Sequence, residues 1–386
     1  MRKKVCIGDL GTVVTGKTPS KSNKAFYGAY SLFLKPTDIS ECCKFTYKTE
    51  EMFSQLAADK FASSLIPKGA ICIPCIGTIG TKMTMSHCEC YTNQSINSII
   101  CNDKYDNEYV YYLMKNFLPN LKSYNLGTAS GREFISKSNF EKIEIVAEQD
   151  KNIQNKIGNF LSRYDSLIEN YQKQIKLLEE SAQRLYKEWF IDLRFPGHEN
   201  TKIVDGIPEG WEKKSVDSIF SIKYGKNLST TLISESGVFP VYGANGVIGY
   251  YDKANCNEQV VLITSRGNGS GDVLMTYHKE AFITNNSFIV TPLEEYLYCQ
   301  LPFTYQFLKC VNFRNVRTGA AQPQLTNQSI HTIDVILPTK DVIVEFCKKT
   351  DSNNSLIINL KEDIRHLTEA RDRLLPKLMS GEIEFN

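Results

Sequence analysis

Apolar residues along this chain fall in two textures. Short runs such as Ala70-Ile71-Cys72-Ile73 and Val260-Val261-Leu262-Ile263-Thr264 are punctuated by Gly, Asn and Pro, and read as buried strands between turns. Two longer stretches change period. In the first, Tyr164, Ile168, Tyr171, Ile175, Leu178, Ala182, Leu185 and Trp189 are spaced 4, 3, 4, 3, 4, 3, 4 among Lys, Glu, Gln and Arg. In the second, Ile357, Leu360, Ile364, Leu367, Leu374 and Leu378 keep the same register, and only Arg371 breaks the apolar pattern. This spacing is a heptad seam along one helix face. A seam that narrow cannot be buried alone, and two matching seams in one chain predict an intramolecular antiparallel pair. The rival reading packs each helix on its own globular domain.

The textures recur in the same order because the chain repeats itself. Tyr91-Thr92-Asn93-Gln94-Ser95 resembles Ile283-Thr284-Asn285-Asn286-Ser287, with the threonines 192 apart. Gly77 and Gly267 are 190 apart, as are Ile143-Glu144-Ile145-Val146 and Ile333-Asp334-Val335-Ile336. Asp165-Ser166-Leu167-Ile168 and Asn354-Ser355-Leu356-Ile357 are 189 apart. Four echoes at a nearly constant offset, about half of the 386 residues, make a duplication the best explanation. Gly16-Lys17 and Gly225-Lys226 are 209 apart, which places extra residues in the first copy between about 18 and 70. Each copy is a β-rich, turn-rich stretch with a long helix after it. Pro196-Gly197 and Gly206-Ile207-Pro208-Glu209-Gly210 bracket a linker.

Composition narrows the function classes. Lys and Arg number 45 against 43 Asp and Glu, a net charge of +2. That excludes a uniformly basic DNA coat and leaves local basic patches open. No apolar run reaches transmembrane length, so no membrane partner is expected. Met1-Arg2-Lys3-Lys4 leads into no apolar core of a secretory signal. The expected setting is cytoplasmic, where the 12 cysteines stay reduced.

Several motifs suggest chemistry and fail on context. Gly11-Thr12-Val13-Val14-Thr15-Gly16-Lys17-Thr18 fits the phosphate-binding P-loop pattern, which requires a helix directly after it. Pro19 comes instead, and the second copy keeps only Gly225-Lys226. A glycine turn carrying an exposed lysine is the better reading. Cys72, Cys75, Cys88 and Cys90 could offer four thiolates to zinc. The second copy has Leu262 and Ser265 near the first two positions, so the shared fold requires no metal. Gly267-Asn268-Gly269-Ser270-Gly271 is glycine-rich, but Asp272-Val273-Leu274-Met275 after it looks like a strand rather than the helix of a dinucleotide site. Five scattered histidines suggest no triad, and no Asn-Pro-Pro-aromatic motif of a methyltransferase occurs. No catalytic residue, metal ligand or cofactor of this chain is expected.

Polar turns are more suggestive. The first copy offers Lys17, Thr18, Thr78, Lys82, Asn93, Gln94, Ser130 and Arg132; the second offers Lys223, Tyr224, Lys226, Asn245, Arg266, Asn268, Asn285, Arg314 and Arg317. Arg reads guanine, Asn and Gln read adenine, Thr reads either, and Lys and Arg hold phosphates. Each residue alone reads equally as part of a solvated loop, and Asn93 and Asn285 equally as turn residues. Set at equivalent points of two copies, they predict two related recognition surfaces.

The order of domain, helix, domain, helix resembles the specificity subunit of type I restriction–modification systems over nearly the whole chain. Three stretches carry the likeness: Arg184-Leu185-Tyr186-Lys187-Glu188-Trp189-Phe190 leading to Gly206-Ile207-Pro208-Glu209-Gly210-Trp211; Thr318-Gly319-Ala320-Ala321-Gln322-Pro323-Gln324-Leu325; and Arg373-Leu374-Leu375-Pro376-Lys377-Leu378-Met379-Ser380-Gly381-Glu382. The first copy departs from the second stretch, having Gly127-Thr128-Ala129-Ser130-Gly131-Arg132 without Gln-Pro-Gln. The resemblance implies an α+β chain with two duplicated, β-rich target-recognition domains. Two long helices forming an antiparallel coiled coil would separate them. The expected divisions are recognition domain 1 at 1–149, helix at 150–196, linker at 197–210, recognition domain 2 at 211–340 and helix at 341–386. It implies a non-catalytic reader of double-stranded DNA, each domain taking half of an asymmetric split target. Two methyltransferase subunits would dock on it, and two restriction subunits would add translocation and cleavage. S-adenosylmethionine, ATP and magnesium would belong to those partners. A helix of about 26 residues spans roughly 40 Å, close to the ~34–36 Å of one DNA turn. The rival class is an interaction scaffold with two β-rich adaptors on a helical rod, favoured by the near-neutral charge.

Overall fold

Short strands form where β-branched and aromatic residues alternate between two faces. The computed structural model describes residues 2–125, 127, 133–319 and 323–385. It divides into two units, residues 1–171 with 364–386 and residues 172–363. In unit 1 the strands are β1 (Arg2–Cys6), β2 (Gly11–Thr15), β3 (Tyr27–Leu34), β4 (Met52–Phe53), β5 (Ile71–Pro74), β6 (Thr84–Met85), β7 (Tyr91–Thr92), β8 (Ile96–Cys101) and β9 (Glu144–Glu148). An antiparallel sheet has the order β2-β8-β5-β6. A second has the order β4-β3-β7, with β3 parallel to β7, and β1 pairs with β9. Alternation along β5 sends Ile71 and Ile73 into one apolar cluster and Cys72 into another. The helices are α1 (Gln55–Lys60), α2 (Asn107–Phe117), α3 (Lys137–Glu141) and α4 (Lys151–Tyr186). Asp106 caps α2 by accepting from Tyr109 N at 2.9 Å. Phe26, Phe33, Phe53, Ala57 and Ala58 form a separate cluster with Tyr91.

Unit 2 repeats this plan. A linker hairpin joins β10 (Ile203–Val204) to β11 (Ile207–Pro208), and then come β12 (Glu212–Ser215), β13 (Phe220–Tyr224), β14 (Phe239–Gly243), β15 (Gly246–Tyr251), β16 (Val261–Thr264), β17 (Val273–Met275), β18 (Phe282–Ile283), β19 (Ser287–Pro292) and β20 (Asp334–Leu337). The sheets have the orders β13-β19-β16-β17 and β15-β14-β18, with β14 parallel to β18, and β12 pairs with β20. Strand for strand, this is the topology of unit 1. The helices are α5 (Val216–Ile219), α6 (Leu301–Lys309), α7 (Asn327–Ile330) and α8 (Lys340–Ser380).

The two long helices are shared between the units. Beyond Tyr186, α4 widens into a π turn over Lys187–Ile191, which places Trp189 and Phe190 against Phe346 at 6.0 and 5.3 Å between ring centres. Within unit 1, Phe160 meets Phe385 at 5.4 Å and Asp165 pairs with Arg371. Within unit 2, Glu179 lies 3.8 Å from Lys361. In each unit the two helical segments therefore run antiparallel. Every seam residue from Tyr164 to Trp189 and from Ile357 to Leu378 is buried or half-buried, whereas Leu167 and Leu177, off the seam, are 43% and 64% exposed. The units cut across the divisions expected from sequence, because each one includes segments of both helices. Among the described residues no helix is long and apolar enough to cross a membrane.

Candidate nucleic-acid interface

In both units a Gly-Lys pair leaves the first strand of the larger sheet and lies against one turn, Thr92-Asn93 in unit 1 and Ile283-Thr284 in unit 2. Gly16 N donates to Ile96 O at 3.2 Å and Lys17 N to Thr92 O at 3.0 Å. Gly225 N donates to Ser287 O at 3.0 Å and Lys226 N to Ile283 O at 2.9 Å. A Cβ on Gly16 would stand 2.1 Å from Thr92 O, and one on Gly225 2.3 Å from Thr284 O. The approach admits only glycine, and the lysine comes next at the same place in each unit. Irregular chain and a turn, not a helix, follow Lys17, so the P-loop geometry is absent there. Lys17 Nζ donates to Ser63 Oγ at 3.2 Å, and Thr18 Oγ1 donates to Gln94 Oε1. Asn93 Oδ1 accepts from Ser95 N at 3.1 Å, which commits that side chain to shaping the turn.

A glycine loop abuts this turn. Cys75 N donates to Ser95 O, and Ser265 N to Asn286 O, both at 2.8 Å. The loops then turn at Gly77 and Gly267, with φ of 79° and 83°. Each loop pairs with the segment before α3 or α7. Gly77 N donates to Glu133 O at 3.1 Å and Gly267 N to Pro323 O at 2.9 Å. Four segments thus meet in each unit, held by corresponding backbone bonds.

In unit 2 this arrangement gathers most of the expected residues. Arg314 Nη2 lies 2.8 Å from Asp272 Oδ1, and both side chains stay largely exposed, so the pair is weak and exchangeable. Arg317 Nη2 donates to Asn268 O at 3.4 Å. A Cβ at Gly269 would lie 3.1 Å from Asn245 Oδ1, which places the hairpin tip between β14 and β15 beside the loop. Tyr224 packs on Phe288 at 4.3 Å, and its hydroxyl donates to Leu325 O at 3.5 Å. Arg266 and Asn285 lie within the same loop and turn. Lys223 precedes Tyr224 on β13 and so faces the other side of the sheet. In unit 1, Lys17, Thr18, Asn93 and Gln94 come together, Thr78 sits next to Gly77 with its hydroxyl buried, and Lys82 ends the loop half-buried. Ser130 and Arg132 lie outside the described residues. Residue spacing did not single out Asp272, the partner of Arg314, because the two are 42 residues apart.

The cysteines offer no metal centre among the described residues, where no three His, Cys, Asp or Glu side chains converge. None of the twelve cysteines forms a disulfide. Burial pushes Cys72 up to about 11 and Cys75 up to about 12, which disfavours the thiolates zinc requires.

A buried polar cluster ties the helices to the α2 layer of unit 1. Tyr112 donates its hydroxyl to Asp165 on α4, and Arg371 on α8 pairs with the same carboxylate. Burial, then the charge of Asp165, drives Tyr112 far above the usual phenol range. Arg371 thus enters an otherwise apolar seam with its charge matched.

Known proteins of similar sequence and fold agree with one another. The family model described as "Type I restriction modification DNA specificity domain" matches residues 2–180 and 208–366. The type I restriction enzyme MjaIX specificity subunit of Methanocaldococcus jannaschii is 27% identical, over 98% of this chain and 92% of that one. The HindI specificity subunit of Haemophilus influenzae is 38% identical over 36% of this chain and 30% of its own length. The crystal structure of a type I restriction–modification S subunit from M. genitalium shares the fold, with a TM-score of 0.58 at 20% identity, covering 98% of this chain and 96% of that one.

Proposed function

The chain belongs to the type I restriction modification DNA specificity family, and we propose that it reads double-stranded DNA on behalf of catalytic partners. Each unit takes one half of an asymmetric, bipartite target through its loop cluster. The observation that carries this reading is the repeat of one loop framework with different side chains upon it. Arg266 and Asn268 stand in unit 2 where Ile76 and Thr78 stand in unit 1. Two such surfaces suit two different half-sites.

The long helices set the unread spacer and offer docking surface to two adenine-N6 methyltransferase subunits, with two restriction subunits completing the system. S-adenosylmethionine, ATP and magnesium are assigned to those partners. Deleting one heptad from each helix removes about 10 Å of length and should shorten the spacer by two or three base pairs (~3.4 Å each). An unchanged spacer refutes the ruler.

The direct test co-expresses the chain with the methyltransferase of its own system in a host free of adenine methylation, and then maps N6-methyladenine by long-read sequencing. A split, asymmetric motif that requires this chain is the expected result. Formation of a stable complex without methylation would overturn the reading role, and absence of a complex would favour the scaffold.

A further inference from the structure

Whatever the two units share in sequence and geometry cannot tell one half-site from the other. Given the DNA-reading role, on which this inference rests, the candidate residues divide by function. The shared set is small: Gly16-Lys17 on Thr92-Asn93 in unit 1, and Gly225-Lys226 on Ile283-Thr284 in unit 2. Each pair is fixed by two backbone hydrogen bonds and by a contact too close for any side chain but glycine's hydrogen. The framework therefore delivers one lysine to the same point of each recognition surface, and both lysines are exposed.

The neighbours differ. Beside the shared pair, unit 1 presents Ile76 and Thr78 in its glycine loop and the extra residues before Ala70. Unit 2 presents Arg266 and Asn268 with the tip between β14 and β15. Arg and Asn can bond a base edge through two groups at once. Lysine is a compact charge with rotatable donors that suits a phosphate better than a base edge. The feature common to two unlike half-sites is the sugar–phosphate backbone, whose contacts fix register and carry no direct sequence information.

We propose that Lys17 and Lys226 are a matched pair of phosphate clamps, one per half-site, and that base discrimination rests on the residues that differ around them. In unit 2 these are foremost Arg266 and Asn268.

The test uses the full chain in complex with its methyltransferase and reads both affinity and motif. Lys17→Ala and Lys226→Ala should each weaken binding to cognate and unrelated duplexes alike. Each should lower the slope of log affinity against log salt by about one, and leave the methylated motif unchanged. Lys17→Arg and Lys226→Arg should restore the slope. Arg266→Ala should relax one half-site only. Lysine variants that alter the motif, or that leave the salt slope untouched while the chain melts like wild type, overturn the clamps. If the wild-type complex itself shows no salt-dependent binding to DNA, the underlying DNA-reading role fails instead.

Discussion

Replacing Arg371 with Met tests what holds the helix pair in unit 1. Arg371 and Asp165 are 7% and 8% exposed, and Tyr112 bonds the same carboxylate. Met keeps the apolar stem and removes the charge, which leaves Asp165 buried with only a neutral donor. Breaking one side of such a pair costs about 3–5 kcal/mol, whereas replacing both sides with neutral groups of similar shape is often close to neutral. Arg371→Met should therefore destabilise unit 1 by about 3 kcal/mol or more, and Asp165→Asn with Arg371→Met should recover most of it. The duplication supplies an internal comparison. The corresponding residues of unit 2, Gln306, Asn354 and Ala182, line a cavity of about 30 Å³ and carry no charge. Both tryptophans, Trp189 and Trp211, belong to unit 2. Urea unfolding read by tryptophan fluorescence thus reports on unit 2, while circular dichroism reports on both units. The single variant should shift the dichroism transition and leave the fluorescence transition in place. A loss under about 1 kcal/mol, or a double variant no better than the single, would refute the argument.

The geometry sets two further outcomes. Gly16→Ala and Gly225→Ala force a Cβ to within 2.1 and 2.3 Å of a backbone carbonyl, so each should cost at least about 1–3 kcal/mol, read as a lower urea midpoint. Lys361 lies 3.2 Å from the ring centre of Tyr277, and burial lowers it from 10.5 to about 8, with Glu179 opposing the shift. Between those values the unfolded chain holds a proton that the folded chain has released, so stability should rise with pH from about 8 towards 10.5. Fluorescence-detected unfolding of Lys361→Met should lose that slope, and an identical pH profile for the variant would refute the assignment.

The duplication was legible because two of its echoes lie at turns, where glycine, threonine and asparagine are chosen by backbone geometry, and two run along β9 with β20 and α4 with α8, where packing repeats the apolar pattern. Gly77 and Gly267 turn at the same place beside two sheets of identical order, whereas the strand pairing sets Ile283, not Thr284, at the place of Thr92, one residue short of the offset read from sequence. The seams were legible because helical packing imposes a short period. What sequence left hidden depends on contacts between distant segments. Arg371 reads as a flaw in its seam until Asp165, 206 residues earlier, is placed against it. Asn93 reads equally as a base-contacting candidate and as a turn residue until its amide oxygen is found bonded to Ser95 N. The units differ from the sequence divisions for a related reason. A narrow apolar seam takes its partner from the other half of the chain, and periodicity says nothing about where the boundary of burial falls.

That division has a consequence for how the protein is made. Unit 2 is one continuous stretch, residues 172–363, whereas unit 1 needs residues 364–386 to complete what residues 1–171 begin. Arg2, on the first strand of unit 1, donates to Leu378 O at 3.0 Å, and a Cβ at Gly381 would collide with its guanidinium. Order of synthesis is therefore the reverse of order of completion. The first half emerges from the ribosome early and waits with part of its apolar surface uncovered, while the second half has all of its sequence sooner. Chains ending at residue 363 and released from the ribosome should accordingly resist protease in unit 2 and remain cleavable in unit 1. Equal protection of both would show that the early half closes without its last helix turns.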